Sequence, residues 1–370
     1  MDVGFVVYGD LEETSGGFRY DRKLARYLES QGDTVEVVSL PWRGYPRDLG
    51  DAFARAIRDR LDRPVDVLLQ DELCHPSVWW HNPRLEAPGS IVSLVHLLRS
   101  GDSSRPLSPF YRAIERRYLE SVDGAICTSR DTRERTTELA SVPTVVAPPA
   151  GRVEGRGLSP EAIRERARRR PLEVVFVGNL VPRKGLLTLL SALEGVDREW
   201  RLTIVGSHEM DPVYARDVRK RTRRLGIDGR TEFTGEVTDR ELEAILEGSH
   251  ALLVPARYEG YGMVYLEAME YGVVPIASAV GGADEFVGDG ENGFLVDPGE
   301  TARIAEIVTE LADDRDLLAT LGVAALETAA THPEWEESME TVRAFLRSFA
   351  DGESETPVAE GPHSRSGDHP

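Results

Sequence analysis

Two carboxylates eight residues apart, Glu259 and Glu267, lie in Pro255-Ala256-Arg257-Tyr258-Glu259-Gly260-Tyr261-Gly262-Met263-Val264-Tyr265-Leu266-Glu267. An apolar run over 251–255 predicts a strand entering this glycine-rich loop, with a helix leaving it. Gly260 and Gly262 let the backbone approach a ligand closely. The free N–H groups where the helix begins, in the stretch Tyr261, Gly262, Met263 and Val264, form an anion site. Helical side chains lean toward the N-terminus, so Glu267 reaches a ligand docked there. A carboxylate that only accepts hydrogen bonds, set beside an anion site, suits the vicinal hydroxyls of a ribose whose phosphates sit on the amides. These residue types predict a nucleotide-sugar site; the plain alternative is a strand–loop–helix carrying surface acids.

Phe176-Val177-Gly178-Asn179-Leu180-Val181-Pro182-Arg183-Lys184-Gly185 reads as a strand, a turn around Gly178 and a helix start. Sugar transfer from a nucleotide diphosphate builds negative charge on the leaving group, which two fixed cations, Arg183 and Lys184, would stabilise. Arginine forks onto two oxygens while lysine acts as a point charge. Surface solvation is the alternative, yet Lys184 is one of only three lysines against 41 arginines. Its retention therefore points to a specific need. Gly16 and Gly17 follow the first strand and would bare backbone amides toward a cleft, or make a tight turn. His96 ends the apolar run 91–95, and ligands of open α/β sheets gather at strand carboxyl ends. A structural histidine is the competing reading.

Two other patterns imitate metal sites. Asp314-x-Asp316 has no apolar strand before it and reads as a helix cap. Cys74, His75 and His81 lack a second ligand cluster to complete a tetrahedron, so the segment reads as a loop near the cleft. No metal is expected.

A chain of 370 residues suits two cores. Strands are expected over 3–8, 34–39, 65–70, 91–96, 124–128 and 144–147, then over 173–177, 201–205, 231–234, 251–255, 274–277 and 294–296. Helical patterns alternate with them, among them 19–31 and 109–121, which is the mark of doubly wound α/β domains. The expected division is 1–150, 151–332, a helix over 333–350 and a disordered tail over 351–370. Pro148-Pro149-Ala150-Gly151 and the arginine-rich stretch to Arg170 would form the hinge. The formal charge of −20 argues against nucleic-acid binding. Two cysteines, no signal peptide and no long apolar run indicate a cytoplasmic protein. Acid excess with three lysines reads as a salt-loving organism, with base composition as the alternative.

The loop and helix from Pro255, continuing as Glu267-Ala268-Met269-Glu270-Tyr271-Gly272, resemble the Glu-x7-Glu element of retaining glycosyltransferase family 4. So do the Arg183-Lys184-Gly185 element, the Gly16-Gly17 loop and His96. The likeness runs through most of residues 1–350 and is strongest from 173 to 296. It implies the GT-B architecture: two Rossmann-like domains facing a cleft, with the last helix crossing back onto the first, its apolar face supplied by Trp335, Phe345 and Phe349. It also implies a transferase that moves a sugar from a nucleotide sugar to a glycan or lipid-linked acceptor, while the acid excess with few lysines points to a haloarchaeon as its source. Glu267 would hold ribose, Arg183 and Lys184 the diphosphate, and Glu259 and His96 the sugar. The turns Gly281-Gly282-Ala283-Asp284-Glu285 and Asp289–Phe294 would support the donor loop, with Glu285 as a secondary contact. Arg112, Arg116 and Arg117 either touch a membrane weakly or form a solvated face. A nucleotide-sugar epimerase or a non-catalytic relative would share the architecture.

Overall fold

The computed structural model describes residues 1–11, 15–102, 107–152 and 158–351. The expected disordered tail beyond residue 351, three residues of the first glycine loop and part of the expected hinge lie outside them.

Twelve strands form two all-parallel sheets of six. The first comprises β1 (Asp2–Tyr8), β2 (Thr34–Leu40), β3 (Val67–Asp71), β4 (Ser90–Val95), β5 (Gly124–Cys127) and β6 (Thr144–Val146). The second comprises β7 (Leu172–Val177), β8 (Trp200–Val205), β9 (Thr231–Gly235), β10 (Ala251–Val254), β11 (Val274–Ser278) and β12 (Phe294–Val296). Their order is β2-β1-β3-β4-β5-β6 in the first sheet and β12-β11-β10-β7-β8-β9 in the second. Each sheet is buried on both faces, so most of its strands read as short unbroken apolar runs, and helices cover them. The GT-B expectation is borne out.

The strand orders place the chemistry. In the second sheet the chain reverses direction between β7 and β10, which pair through Ala251↔Val174 and Leu252↔Val175. Such a switch point leaves a crevice beyond the strand carboxyl ends. The Arg183-Lys184 turn follows β7 and the Glu259 loop follows β10, so both open into that crevice. In the first sheet β1 and β3 meet at the corresponding point. There Gly16, Asp71 and Glu72 follow the two strand ends, and His96 follows the neighbouring β4.

The last helix, Trp335–Ala350, packs on the first sheet rather than the second. Trp335, Met339, Val342, Phe345 and Leu346 join Val3, Phe5 and Leu24 in one core. Arg343 Nε lies 2.6 Å from the nearly buried Asp33 carboxylate, which pins the far end of the helix. Trp335 Nε1–H donates to the carbonyl of Gly151 at 2.8 Å, tying the crossover helix to the connection between the sheets.

Candidate active site

The Pro182–Lys184 turn ends at Gly185, which packs against the carbonyl of Pro255. Arg257 N–H then donates to Arg183 O at 2.7 Å. These contacts lock the two loops of the second sheet side by side. Lys184 Nζ therefore meets Glu259 Oε2 at 2.7 Å, and Arg183 NH1 meets the same oxygen at 3.0 Å. Burial would raise the Glu259 pKa, but the adjacent Lys184 and Arg183 charges hold it down at about 2. Burial lowers the Lys184 pKa, and Glu259 opposes that shift. Gly178 lies under the lysine stem, where an added Cβ would come 3.4 Å from Cε.

Glu259 leads into the helix Met263–Met269, whose cap Gly262 has φ 87°. A side chain there would also collide with the Tyr265 ring, so glycine is required. Tyr265 O–H donates to Val254 O at 2.6 Å, fixing the helix against the end of β10. Tyr261 is turned away from the crevice. Its ring lies 5.1 Å from Phe286 and its hydroxyl bonds His332, so only its backbone faces the loop. Val264 packs partly against the core of the second sheet, and Met263 packs against both cores.

Glu267 lies where the two sheets meet. Arg19 NH1 donates to its Oε1 at 2.6 Å, and Arg152 reaches Oε1 at 3.3 Å and Oε2 at 3.4 Å. Each carboxylate oxygen accepts two hydrogen bonds, so Oε2 keeps capacity for a hydroxyl. Neither arginine was singled out from the sequence. The hint for Arg152 was its position just after Pro-Pro-Ala-Gly; Arg19 gave none.

The first sheet supplies His96. Its Nε2 is 2.8 Å from Asp21 Oδ1, and its backbone N–H donates to Glu72 Oε2 at 2.9 Å. Asp21 reaches it from the helix Gly16–Ser30, capped by Ser15, whose buried face also carries Phe18, Leu24 and Leu28. Tyr20 lays its ring edge on His96 at 5.3 Å. Gly16 faces Met263 Sδ and Gly17 faces the His96 ring, each with space for an added Cβ only at 3.3 Å. The glycine pair thus lets the helix start seat against both sides of the crevice.

Asp21, Asp71 and Glu72 form a buried acid cluster behind His96, in which Asp71 interacts through hydrogen bonds with both Asp21 and Glu72. Burial pushes all three carboxyls above their ordinary range, and the charge of Asp21 raises Asp71 further. Burial lowers His96, so the ring is neutral near pH 7. Among the described residues, Asp21, Asp71 and His96 bring one ligand atom each within 4.8 Å of one another, a spacing open to a metal ion. In this structure His96 Nε2 and Asp21 Oδ1 face each other at 2.8 Å, as a hydrogen bond.

The two sheets touch along the crevice. An added Cβ at Gly260 would come within 2.0 Å of the His96 carbonyl oxygen. Tyr258 O–H donates to Asp131 Oδ2 at 3.1 Å, and Arg130 N–H donates to Glu285 Oε1 at 2.5 Å. Glu285 is thus an interdomain tie. The metal-like patterns are committed elsewhere. Asp314 caps Arg315–Thr331, accepting from Asp316 and Leu317 N–H. His75 Nδ1 lies 2.7 Å from the Glu72 carbonyl, and His81 Nε2 lies 3.0 Å from that of Asp51. Among the described residues, no helix is long and apolar enough to cross a membrane.

Comparison with known proteins gives the site its setting. Residues 160–328 match the family model described as glycosyl transferases group 1. A GDP-mannose-dependent alpha-(1-6)-phosphatidylinositol monomannoside mannosyltransferase of Mycobacterium tuberculosis is 31% identical, covering 94% of this chain and 98% of its own. A D-inositol 3-phosphate glycosyltransferase of Corynebacterium diphtheriae is 28% identical, covering 81% and 79%. Among solved structures, sucrose-phosphate synthase of Thermosynechococcus elongatus superposes with a TM-score of 0.77 at 20% identity, over 95% of this chain and 99% of its own. Identity at this level across nearly the whole length makes the chain a glycosyltransferase, a member of the glycosyl transferases group 1 family.

Proposed function

We propose that this chain is a retaining, metal-independent transferase of glycosyltransferase family 4, moving a sugar from a nucleotide-diphosphate sugar to a hydroxyl of a glycan or lipid-linked acceptor. The observation that carries this reading is the meeting of Arg183, Lys184 and Glu259 at the switch point of the second sheet. The diphosphate lies on Arg183 and Lys184, assisted by the amides of Gly262 and Met263. Glu267 accepts from the ribose hydroxyls. Glu259 and His96 flank the sugar, with the Gly16–Gly17 turn closing the site.

In the reaction the bond from the anomeric carbon to the phosphate oxygen breaks, and the acceptor oxygen bonds that carbon on the same face. The acceptor proton passes to the leaving phosphate, so no dedicated base is assigned. Charge grows on the diphosphate beside Arg183 and Lys184, whose positive charges offset it. That supports a reaction without a metal. Closure of the crevice limits hydrolysis by excluding water.

GDP-mannose is the first donor to test, because the Mycobacterium tuberculosis relative is described as dependent on it. The experiment is transfer from GDP-mannose, with UDP- and ADP-sugars as alternatives, in molar KCl with excess EDTA. The product anomer is read by NMR. An axial product from an axial donor, formed at full rate in EDTA, supports the reading. An inverted product or loss of activity in EDTA contradicts it.

A further inference from the structure

A second cavity of about 280 Å³ opens between the sheets beside the Arg183 turn. It lies just under the roughly 300–1,000 Å³ of pockets that enclose drug-sized ligands, so it holds one ring rather than a chain. Its first-sheet wall carries Trp42, which lies parallel to the buried Tyr8 at 6.2 Å and 11° and remains 46% exposed. Tyr8 and, at 6.1 Å, Phe18 hold the half-exposed indole against the first domain. Arg183 and Tyr258 line the same cavity from the second sheet, so whatever sits on Trp42 borders the proposed diphosphate station.

The polar lining is the wrong one for an anion. Asp48, Glu72 and Asp102 contribute three carboxyls. Burial raises the pKa of Asp48 and Glu72, and carboxyls in this setting suit the hydroxyls of a neutral ligand better than a second anion. Arg183 is paired with Glu259 and, in the transferase reading, is already assigned to the donor diphosphate. The other lining arginine, Arg99, spreads its guanidinium over the Tyr45 and Tyr111 rings at 4.6 and 4.9 Å, leaving its buried Nε–H without a partner. Three carboxyls beside one stacked guanidinium match the hydroxyls of a neutral ring; a phosphate dianion needs more cations and fewer acids nearby.

We propose that this cavity selects the acceptor, taking an uncharged polyhydroxylated ring (a hexopyranose or a cyclitol bearing no phosphate) whose C–H face lies on Trp42. The assignment rests on the transferase reading of the adjoining crevice. It makes Trp42 a specificity-determining residue and predicts that a phosphorylated ring is refused.

Saturation-transfer NMR on the full chain, without donor, tests it with methyl α-D-mannopyranoside, myo-inositol and D-myo-inositol 3-phosphate. At least one neutral ring is expected to bind, and the phosphate about tenfold more weakly or not at all. Trp42→Ala should weaken the neutral ring about tenfold, and Trp42→Phe should retain it. Preference for the phosphate, equal binding in Trp42→Ala, or no neutral-ring binding by wild type would each overturn the proposal. Thermal stabilisation by GDP-mannose and UDP-sugars, read on the same samples, separates the two claims. Donor stabilisation with Trp42-independent ring binding defeats the acceptor assignment alone. Absent donor stabilisation with Trp42-dependent ring binding defeats the donor-site reading alone.

Discussion

Two buried acidic sites face each other across the crevice, and they are neutralised in opposite ways. At the end of β10, Glu259 meets Lys184 and Arg183 within 3.0 Å and stays ionised. At the ends of β3 and β4, Asp21, Asp71 and Glu72 cluster behind His96, and burial pushes their pKa values up. Both sites stand at a switch point of a parallel sheet. The difference teaches what each side is prepared to receive. Fixed cations in the second domain await a ligand that is already anionic. The acids of the first domain hold protons more tightly than ordinary carboxyls and brace His96, so they add less negative charge to the crevice.

The comparison breaks most visibly at its cationic end. Lys184→Ala should lower transfer by about a hundredfold or more, because it removes a preorganised charge from the leaving group. A kcat within twofold of wild type would remove the lysine from the reaction. Glu259→Gln should separate two roles: transfer falls, while the bare nucleoside diphosphate binds at least as tightly, since both cations are released. Titration calorimetry with GDP and UDP reads that split.

The seam between the regions is the next target. Gly260→Ala drives a methyl group into the His96 carbonyl. A displacement of this size costs about 10- to 100-fold in rate when the reacting groups sit on opposite sides. If the nucleotide is held by Arg183, Lys184 and Glu267 as proposed, its binding should stay within about twofold.

Stability against pH sharpens the contrast, because the signs differ. The depressed pKa of Glu259 gives stability that is present above the ordinary carboxylate range and lost as pH falls toward about 2. The raised pKa values of Asp21 and Asp71 give stability that is full below the ordinary range and lost as pH rises through neutrality. Asp71→Asn should flatten the decline that runs from the ordinary carboxylate range up to about pH 7, and raise Tm at pH 8 by about 3 °C. Glu259→Gln should flatten only the acid limb. Identical pH profiles for the two variants would erase the distinction. The smallest effect lies outside both sites: Asp314→Ala costs roughly 1 kcal/mol of helix capping and leaves transfer unchanged.

Much of this was legible in the sequence, for reasons that also mark where reading stops. Buried parallel strands are short apolar runs, so the strands fell within a few residues of their expected places. Glu259, Arg183 and Lys184 were found because each stands just after a strand end, where an open sheet gathers its ligand. The helices Tyr45–Asp51 and Arg55–Leu61 were not read, being short and rich in charge. The partnership of Arg19 with Glu267 spans 248 residues, and local spacing carries no trace of it. Asp21, Asp71 and Glu72 look like ordinary surface acids until the fold buries them. Tyr261 looked like part of the donor loop because it lies between two glycines, but packing on Phe286 turned its side chain inward.

The central claim is that the Arg183–Lys184–Glu259 crevice holds a nucleotide-sugar diphosphate. Thermal unfolding of wild type and of Arg183→Ala/Lys184→Ala, in molar KCl with EDTA, tests it most directly against GDP-, UDP- and ADP-sugars. The account predicts that one nucleotide sugar raises the wild-type Tm by several degrees, as binding to the folded state alone requires, and that the double variant, still folded, loses the shift. An undiminished shift in the double variant would contradict it.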